Sequence, residues 1–581
     1  MARRAWRPNS TRWQIADPHP DAEALARQLH TDPLVAQVLA NRGLHDANAA
    51  RAFLTPRYAD LHDPTMLPGA VEAAGRIARA VADGRRIVIY GDYDVDGITG
   101  VAQLLTCLRM AGAEPGYYVP HRLEEGYGLN SAAVAKLAAD GATMLVTVDC
   151  GIAGAEPVAE ARAAGLEVIV TDHHAPPDQL PPADVIVHPA MNDRTYPNPH
   201  LAGSGVAFKL VWQIAREICG RQRVDEAWRT FLMDATGLAA LGTIADVVPL
   251  VDENRTLATF GLRSVPATQH PGLRALLRAG KLDGENLDAY HVGFVLGPRL
   301  NACGRMGHAR LAVELLTDVA PARAAKIAAY LTEQNTARRR AERNIADEAV
   351  ALVESQNLAD DEHRAIVLAS ENWHSGVIGI VASRLVQRFA RPAVLIALGD
   401  DGGQGSARSI PGYPMRDALA ACSEHLVSFG GHAMAAGLRI APDKVDAFGE
   451  ALRAHAREHI AVEQLTPAVR IDVETQLAHL TFPVARRLAD LAPFGQGNPR
   501  PIVALRDCEV IRPPRRMGRG GGTAGLTLGQ NGTAVRAVGF GMGDLADLLE
   551  GVTRVDVAAE VTLNTFNGRT NVELKLRDVR W

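Results

Sequence analysis

The sequence of 581 residues contains little lysine, few cysteines and few aromatic side chains. Its six cysteines lie far apart and include no Cys-x-x-Cys pair, which excludes a zinc ribbon and a dense disulfide framework. No apolar run reaches the roughly 20 residues that a membrane helix needs, and no hydrophobic segment follows the basic first residues. The sequence therefore indicates a folded protein of the reducing cytoplasm, with no membrane partner.

The balance of charge gives no sign of a polyanionic partner. The chain has 61 Lys and Arg residues and 66 Asp and Glu residues, a formal net charge of −5, whereas nucleic-acid binders usually show a basic footprint. Any nucleic acid must therefore be bound by local patches. Nearly all the basic residues are arginine, whose guanidinium can contact a phosphate through two hydrogen bonds.

Length and composition predict several folded domains. At roughly 100–200 residues per domain, the chain should hold about three to five, and 47% hydrophobic and 22% charged residues exclude wholesale disorder. Changes in the pattern of hydrophobic, β-branched and alanine-rich stretches divide the chain into five predicted regions. These are an N-terminal helical accessory region (1–75), an α/β domain (76–318), a connecting helix (319–358), a second α/β domain (359–462) and a β-rich domain (463–581). The short strands of the last region suggest a barrel of the OB type.

The first α/β domain has the pattern of a doubly wound parallel sheet, in which short β-branched runs alternate with alanine-rich helical stretches. Ligands of such sheets lie beyond the carboxyl ends of the strands. Three strand ends carry polar clusters here: Gly-Asp-Tyr-Asp-Val-Asp-Gly at 91–97, Asp-Cys-Gly at 149–151 and Thr-Asp-His-His at 171–174. We therefore expect a functional site at this edge of the sheet.

Three aspartates alternate in the first cluster: Asp92, Asp94 and Asp96. We expect this segment to be extended, so that side chains two residues apart converge and require a cation. Two other interpretations are a solvated Asp-rich loop and a calcium loop. The calcium loop is less favoured, because it would also need a glutamate at its twelfth position.

Further carboxylates and two imidazoles extend this set. The additional candidate ligands are Asp149, His173, His174 and Asp246. Such a hard set of oxygen and nitrogen ligands suits Mn²⁺ or Mg²⁺ rather than structural zinc. So many ligands exceed what one ion needs, which indicates a pair of ions about 3.5–4 Å apart that activate a water and hold a phosphoryl group.

Taken in order, these motifs resemble those of the DHH phosphoesterase superfamily. The resemblance narrows to the RecJ single-strand-specific exonucleases through Gly-Pro-Arg-Leu-Asn-Ala-Cys-Gly-Arg-Met at 297–306, Gly-Gly-His-Ala-Met-Ala-Ala-Gly at 430–437 and Pro-Phe-Gly-Gln-Gly-Asn-Pro at 493–499. It covers about residues 80–580. It implies a DHH catalytic domain, a DHHA1-type second domain and an OB barrel, and hydrolysis of single-stranded DNA from the 5′ end to mononucleotides with divalent metal, in recombination and repair.

The resemblance also implies roles for individual residues. The superfamily pattern of two aspartates one residue apart falls on Asp94 and Asp96, and the other implied ligands and catalytic groups are Asp149, His173, Asp246 and His174, the last as a ligand or a transition-state stabiliser. Related pyrophosphatases have a histidine ligand where this chain has Tyr90. One ion is therefore expected to be held more weakly, by water, or by Asp92.

Substrate contacts are expected at four places, each with a plainer alternative. Two arginines and an asparagine around a Gly-Pro break form a phosphate clamp or a turn brace: Arg299, Asn301 and Arg305. A glycine-rich turn binds a terminal phosphate or is a mobile loop: Ser406 and Arg408. One histidine contacts substrate or packs in the core: His432. An arginine-rich barrel loop contacts DNA or is merely solvated: Arg515 and Arg516.

Two other functions remain open. One is a DHH-family phosphodiesterase that acts on short oligonucleotides or cyclic dinucleotides, although such enzymes generally lack the C-terminal barrel. The other is a catalytically inactive DNA-binding scaffold, although inactive relatives lose ligands that this chain retains. The expected partner is single-stranded DNA, and candidate protein partners are a single-strand-binding protein and a helicase.

Overall fold

The computed structural model describes residues 11–121, 125–191, 196–306 and 309–581. The chain forms two compact units: one contains residues 51–337 and 492–499, and the other contains the segment up to Ala50 together with 338–491 and 500–581. Among the described residues, no helix is long and apolar enough to cross a bilayer.

The N-terminal region does not end as one body near residue 75. Its elements are β1 (Arg12–Ile15), α1 (Ala22–Leu29), α2 (Pro33–Ala40) and α3 (Ala47–Leu54). Strand β1 pairs in parallel with Ala468–Ile471, and Trp13 donates from Nε1 to the buried carboxylate of Asp578 at 2.7 Å. These contacts assign the segment up to Ala50 to the unit that holds the barrel, whereas residue 51 onward belongs to the other unit.

The first α/β domain contains one parallel sheet with the strand order β3-β2-β4-β5-β6. Its elements are α4 (Ala70–Ala82), β2 (Ile87–Gly91), α5 (Val95–Met110), β3 (Gly116–Tyr118), α6 (Ser131–Ala139), β4 (Met144–Val148), α7 (Ala155–Ala163), β5 (Glu167–Thr171) and β6 (Val185–Val187). Every residue of β2 and β4 is buried, as expected for a sheet covered on both faces. The predicted doubly wound sheet is confirmed.

A helical layer completes this domain. It consists of α8 (Gly203–Cys219), α9 (Glu226–Ala245), α10 (Asp252–Ala267), α11 (Pro271–Ala279), α12 (Ala289–His291), a π-helical turn (Val292–Leu296), α13 (Gly297–Met306) and α14 (Arg310–Leu315). A long helix, α15 (Pro321–Ser355), follows where the connecting helix was expected, and the boundary between the two units falls within it, at Arg338.

The second α/β domain has a five-stranded mixed sheet with the order β10-β11-β9-β8-β7. Its elements are β7 (Ile366–Ser370), α16 (Ser375–Phe389), β8 (Ala393–Gly399), β9 (Gly402–Arg408), α17 (Met415–Ala421), β10 (Ser428–Gly431), β11 (Ala435–Ile440) and α18 (Val445–His459). The expected glycine-rich turn at Ser406 and Arg408 is wrong, because both lie on β9. Its glycines are needed for close packing: a Cβ on Gly405 would lie 2.6 Å from the Leu438 side chain.

The last region is a closed five-stranded barrel in the order β14-β15-β16-β18-β17, with β17 paired back to β14, which confirms the OB fold. The elements are β12 (Ala468–Ile471), β13 (Val473–Thr475), α19 (Phe482–Ala489), β14 (Ile502–Met517), β15 (Thr523–Gln530), β16 (Thr533–Phe540), α20 (Leu545–Leu548), β17 (Arg554–Phe566) and β18 (Arg569–Arg580). Arg515 and Arg516 lie on β14, paired with Gly525 and Ala524 of β15, and not in a loop as expected.

Candidate metal centre

The aspartate-rich motif begins a helix and is not an extended strand as expected. Asp94 caps α5, its Oδ1 accepting from the backbone N–H of Asp96 (2.9 Å) and Gly97 (3.2 Å). A side chain at position 97 would clash, because its Cβ would lie 2.6 Å from the carbonyl oxygen of Asp92. An Asp N-cap followed by glycine therefore starts the helix inside the motif, and a turn brings the carboxylates together.

Four elements contribute side chains to one point. Asp149 follows β4 with φ +61°, His173 follows β5, and Asp246 is the C-cap of α9. The His173 Nε2 lies 3.1 Å from Asp149 Oδ1, 3.6 Å from Asp246 Oδ2 and 3.8 Å from Asp96 Oδ2. The structure thus brings together side chains that span about 150 residues of sequence.

The predicted ligands form three overlapping groups, in each of which one ligand atom per residue lies within 4.8 Å of the others. The groups are Asp92, Asp94 and Asp149; Asp96, His173 and Asp246; and Asp149, His173 and His174. Asp149 Oδ1 and His173 Nε2 are buried and, within the described chain, accept or donate no hydrogen bond. Shared, buried atoms of this kind would suit divalent cations, and Asp149 is common to two of the three groups.

The electrostatics of the centre also favour cations. Burial, followed by repulsion from neighbouring carboxylates, raises the pKa of Asp149 well above its usual value. Burial and the charge of Asp96 raise the pKa of Asp246 to about 8. Without a cation, these carboxylates are costly to ionise together. A divalent ion would remove that cost.

Asp172 orients His174 and was not among the expected site residues. Its carboxylate accepts from the backbone N–H of Ile152 (3.0 Å) and lies 2.8 Å from His174 Nδ1. Burial opposes ionisation of both groups, but their mutual interaction lowers the pKa of Asp172 to about 2 and raises that of His174 to about 9. The signal in the sequence was the aspartate directly before the histidine pair.

Two tyrosines lie near the centre. The Tyr127 hydroxyl lies 3.0 Å from His174 Nδ1 and donates to the Asp149 carbonyl at 3.3 Å, although nothing in its Gly-Tyr-Gly context marked it. Tyr90 is buried and donates to the Gly128 carbonyl at 3.0 Å.

Comparison with known proteins decides the family. Models match for the DHH family N-terminal domain (86–243), the DHHA1 domain (362–458) and the RecJ OB domain (471–578). The single-stranded-DNA-specific exonuclease RecJ of Bacillus subtilis (strain 168) is 38% identical over 570 residues, covering 98% of this chain and 70% of that protein. This chain belongs to the RecJ family. RecJ of Escherichia coli (strain K12) is 34% identical over 568 residues, covering 94% of this chain and 96% of that protein.

A solved structure agrees with this assignment. The crystal structure of RecJ in complex with Mn²⁺ from Thermus thermophilus matches with a TM-score of 0.84 and 32% identity, covering 99% of this chain and 80% of that one. The resemblance inferred from the motifs is therefore confirmed, together with the expected fold.

The RecJ motif at 297–306 contacts the segment that carries the first candidate ligands. Arg299 donates to the carbonyls of Val295 (2.6 Å) and Ala279 (3.3 Å), and Asn301 Oδ1 accepts from the backbone N–H of Val95 at 3.0 Å. These contacts are those of the alternative interpretation, a brace. Arg305 is half-buried on the same helix, α13, and the phosphate clamp stays a prediction.

The RecJ motif at 493–499 also supports this centre. Leu250 donates from its backbone N–H to the Gln496 carbonyl at 2.8 Å, and the buried Arg255 donates to the Ala492 carbonyl at 2.7 Å. Gly495 permits this approach, because a Cβ there would lie 2.7 Å from Leu250. The loop therefore fixes the segment that directly follows Asp246.

The remaining predicted contacts are in the second unit. Arg408 donates to Ser406 Oγ at 3.0 Å. His432 is exposed between β10 and β11, so the packed-core alternative is wrong for it. On the barrel, Arg515 is exposed and Arg516 forms ion pairs with Asp544 (2.9 Å) and Asp547. Their roles toward DNA stay predictions.

Proposed function

We propose that this chain is a metal-dependent exonuclease that hydrolyses single-stranded DNA from the 5′ end to mononucleotides, in DNA recombination and repair. The observation that carries the proposal is the overlap of three ligand groups on Asp149 and His173 in a chain of the RecJ family. Two Mn²⁺ or Mg²⁺ ions are the proposed cofactors, as the ligand set and the Thermus RecJ structures with Mn²⁺ and Mg²⁺ both favour.

Hydrogen bonds within the protein hold the candidate ligands in position without a metal ion. The bound ions would lower the pKa of a water molecule and offset the charge of the phosphate. Asp96 is held by the backbone N–H of Gly203 (2.6 Å) and Ser204 (3.0 Å), which fixes its carboxylate toward His173. Asp172 holds Nδ1 of His174 and raises the pKa of this imidazole to about 9, so that a protonated His174 would donate from Nε2 to a phosphate oxygen.

The proposed domains divide this work. Residues 76–318 would carry hydrolysis, 359–462 would hold the strand end through Ser406, Arg408 and His432, and the barrel would bind the strand through Arg515 and Arg516. A single-strand-binding protein or a helicase would supply the strand. The six cysteines are free, which is consistent with a cytoplasmic location.

Other DHH-family functions are disfavoured. A matching RecJ OB domain and similarity over almost the whole chain argue against an enzyme of short oligonucleotides or cyclic dinucleotides. Retention of all the candidate ligands argues against an inactive scaffold.

The test is hydrolysis of end-labelled 40-nucleotide strands and the matching blunt duplex by the purified chain with Mn²⁺. We expect labelled mononucleotide at once from a 5′ label, a delayed product from a 3′ label and little product from the duplex. Equal attack on duplex and single strand, or products longer than one nucleotide, would contradict the proposal.

A further inference from the structure

The unit that holds the metal centre also presents an exposed aromatic stack. Tyr290 is 58% exposed and Phe294 is 68% exposed. Their ring centroids lie 4.9 Å apart with 23° between the ring planes. Aromatic residues make up only 5% of the chain, and two large rings kept in water give up the stabilisation of burial. Two exposed rings that stack on each other form a continuous apolar surface, which makes them a candidate binding surface.

The backbone that carries Phe294 has an unusual helical conformation. Phe294 lies within the π-helical turn Val292–Leu296, a rare conformation that is frequent at functional sites. The turn is fixed from below, because Val295 packs against Gly280, where a Cβ would lie 3.2 Å from Val295 Cγ1. The rings are therefore presented on a rigid base.

This base lies next to the metal centre. A Cβ on Gly297 would lie 3.7 Å from Ala245 Cβ and 3.8 Å from Val95 Cγ2. Ala245 directly precedes Asp246, and Val95 lies between the two candidate ligands at the start of α5. Phe294 is three residues before Gly297, about 5 Å along a helix axis. The stack thus lies on the helical segment whose end packs against residues that flank the ligands.

We propose that Tyr290 and Phe294 form a stacking platform for nucleobases of the strand that is being degraded. The inference rests on the proposed function and adds to it a site for bases on the unit that holds the metal centre. Every base has a π face, so aromatic rings hold a strand without selecting its sequence. An exonuclease that shortens strands of any sequence needs that property at each step.

The experiment compares the full-length chain with the double variant Tyr290→Ala/Phe294→Ala. The probes are a 20-nucleotide single strand and the same strand with abasic residues in its first six positions. Affinity is measured by fluorescence anisotropy without metal, and KM and kcat are measured with Mn²⁺. Since a base–aromatic stack accounts for about tenfold in affinity, we expect KM and Kd for the normal strand to rise at least tenfold, with kcat within twofold.

Three further results are expected if stacking is the cause. The abasic strand should bind the wild type and the variant equally well. The dependence of affinity on salt should be unchanged, because the removed rings carry no charge. The conservative variant Tyr290→Phe/Phe294→Tyr should bind like the wild type. The matched control is Tyr58→Leu, which removes another partly exposed ring, stacked on Phe260 at 3.9 Å in the same unit.

The platform is contradicted if the double variant binds the normal strand as the wild type does, if it loses equal affinity for both strands, or if only kcat falls. If the Kd for the normal strand is unchanged, the exposed rings would instead be assigned to contact with a protein partner. Failure of the wild type to hydrolyse DNA would instead contradict the proposed function, and the anisotropy data would still decide the platform.

Discussion

The metal centre and the arginine cluster on β14 are both concentrations of like charge, but they differ in burial and in ion pairing. The carboxylates of Asp96 and Asp149 are almost fully buried and fixed by helix starts and strand ends. The arginines are exposed, and Arg516 already pairs with Asp544 and Asp547. Buried like charges require a partner, whereas exposed ones are screened by salt. The chemistry should therefore be sensitive to single changes in the first region and tolerant in the second.

The largest effect should come from Asp149→Ala. Loss of a residue that orients a metal ligand costs about 10–100-fold, so loss of the shared carboxylate should exceed that range and abolish measurable hydrolysis. Circular dichroism should show an unchanged fold, because β4 stays packed. The control is Asp140→Ala, an exposed aspartate at the end of α6. Near-normal turnover of Asp149→Ala in saturating Mn²⁺ would refute the shared role.

Asp172→Asn should lower kcat by about 10–100-fold, the usual cost of losing a partner that orients such a group. It should also move the alkaline limit of the pH–rate profile below about 9, because the pKa of His174 is raised by Asp172. Tyr127→Phe keeps this carboxylate and should leave that limit in place. A profile of Asp172→Asn that coincides with the wild type would show that His174 does not act through its proton.

The stability of the metal-free protein should fall as pH rises from about 4 to about 8 and should level off above that. The folded-state pKa of Asp246 is raised to about 8, so the folded state binds a proton that the unfolded state, with a carboxyl pKa near 4, has already lost. The resulting stabilisation is lost as that proton leaves. Thermal melts across pH 6–9 should show this decline, and Mn²⁺ or Asp246→Asn should reduce it. An identical decline in Asp246→Asn would assign it to other groups.

The smallest effect should come from the barrel. Arg515→Gln/Arg516→Gln should raise KM for long strands only several-fold, and it should reduce the salt slope by about 0.7 for each lost phosphate contact. Arg515→Gln alone should account for more of this change, since Arg516 is already paired. Initial rates on four- and forty-nucleotide strands across a salt titration measure it. Equal loss on both lengths would place these arginines in the catalytic machinery.

The sequence predicted which carboxylates and imidazoles come together, because parallel strands place their carboxyl ends on one edge and the polar clusters stood at those ends. It did not predict the helix start at Asp94, since capping depends on a backbone turn that alternation alone does not reveal. The glycine-rich stretch around Ser406 was mistaken for a turn. Its glycines serve tight packing across a sheet, and that need depends on neighbours such as Leu438, which lie far away in sequence.

The loop at 492–499 also has a consequence for the order in which the chain is synthesised and folds. Arg255 is buried and needs the carbonyls of Phe53 and Ala492 as acceptors, but the ribosome makes Ala492 about 240 residues after Arg255. At about 5–20 residues per second, that interval is on the order of tens of seconds. The catalytic unit therefore lacks this contact until the second α/β domain has been synthesised, and the barrel strands from β14 onward are made only after the loop.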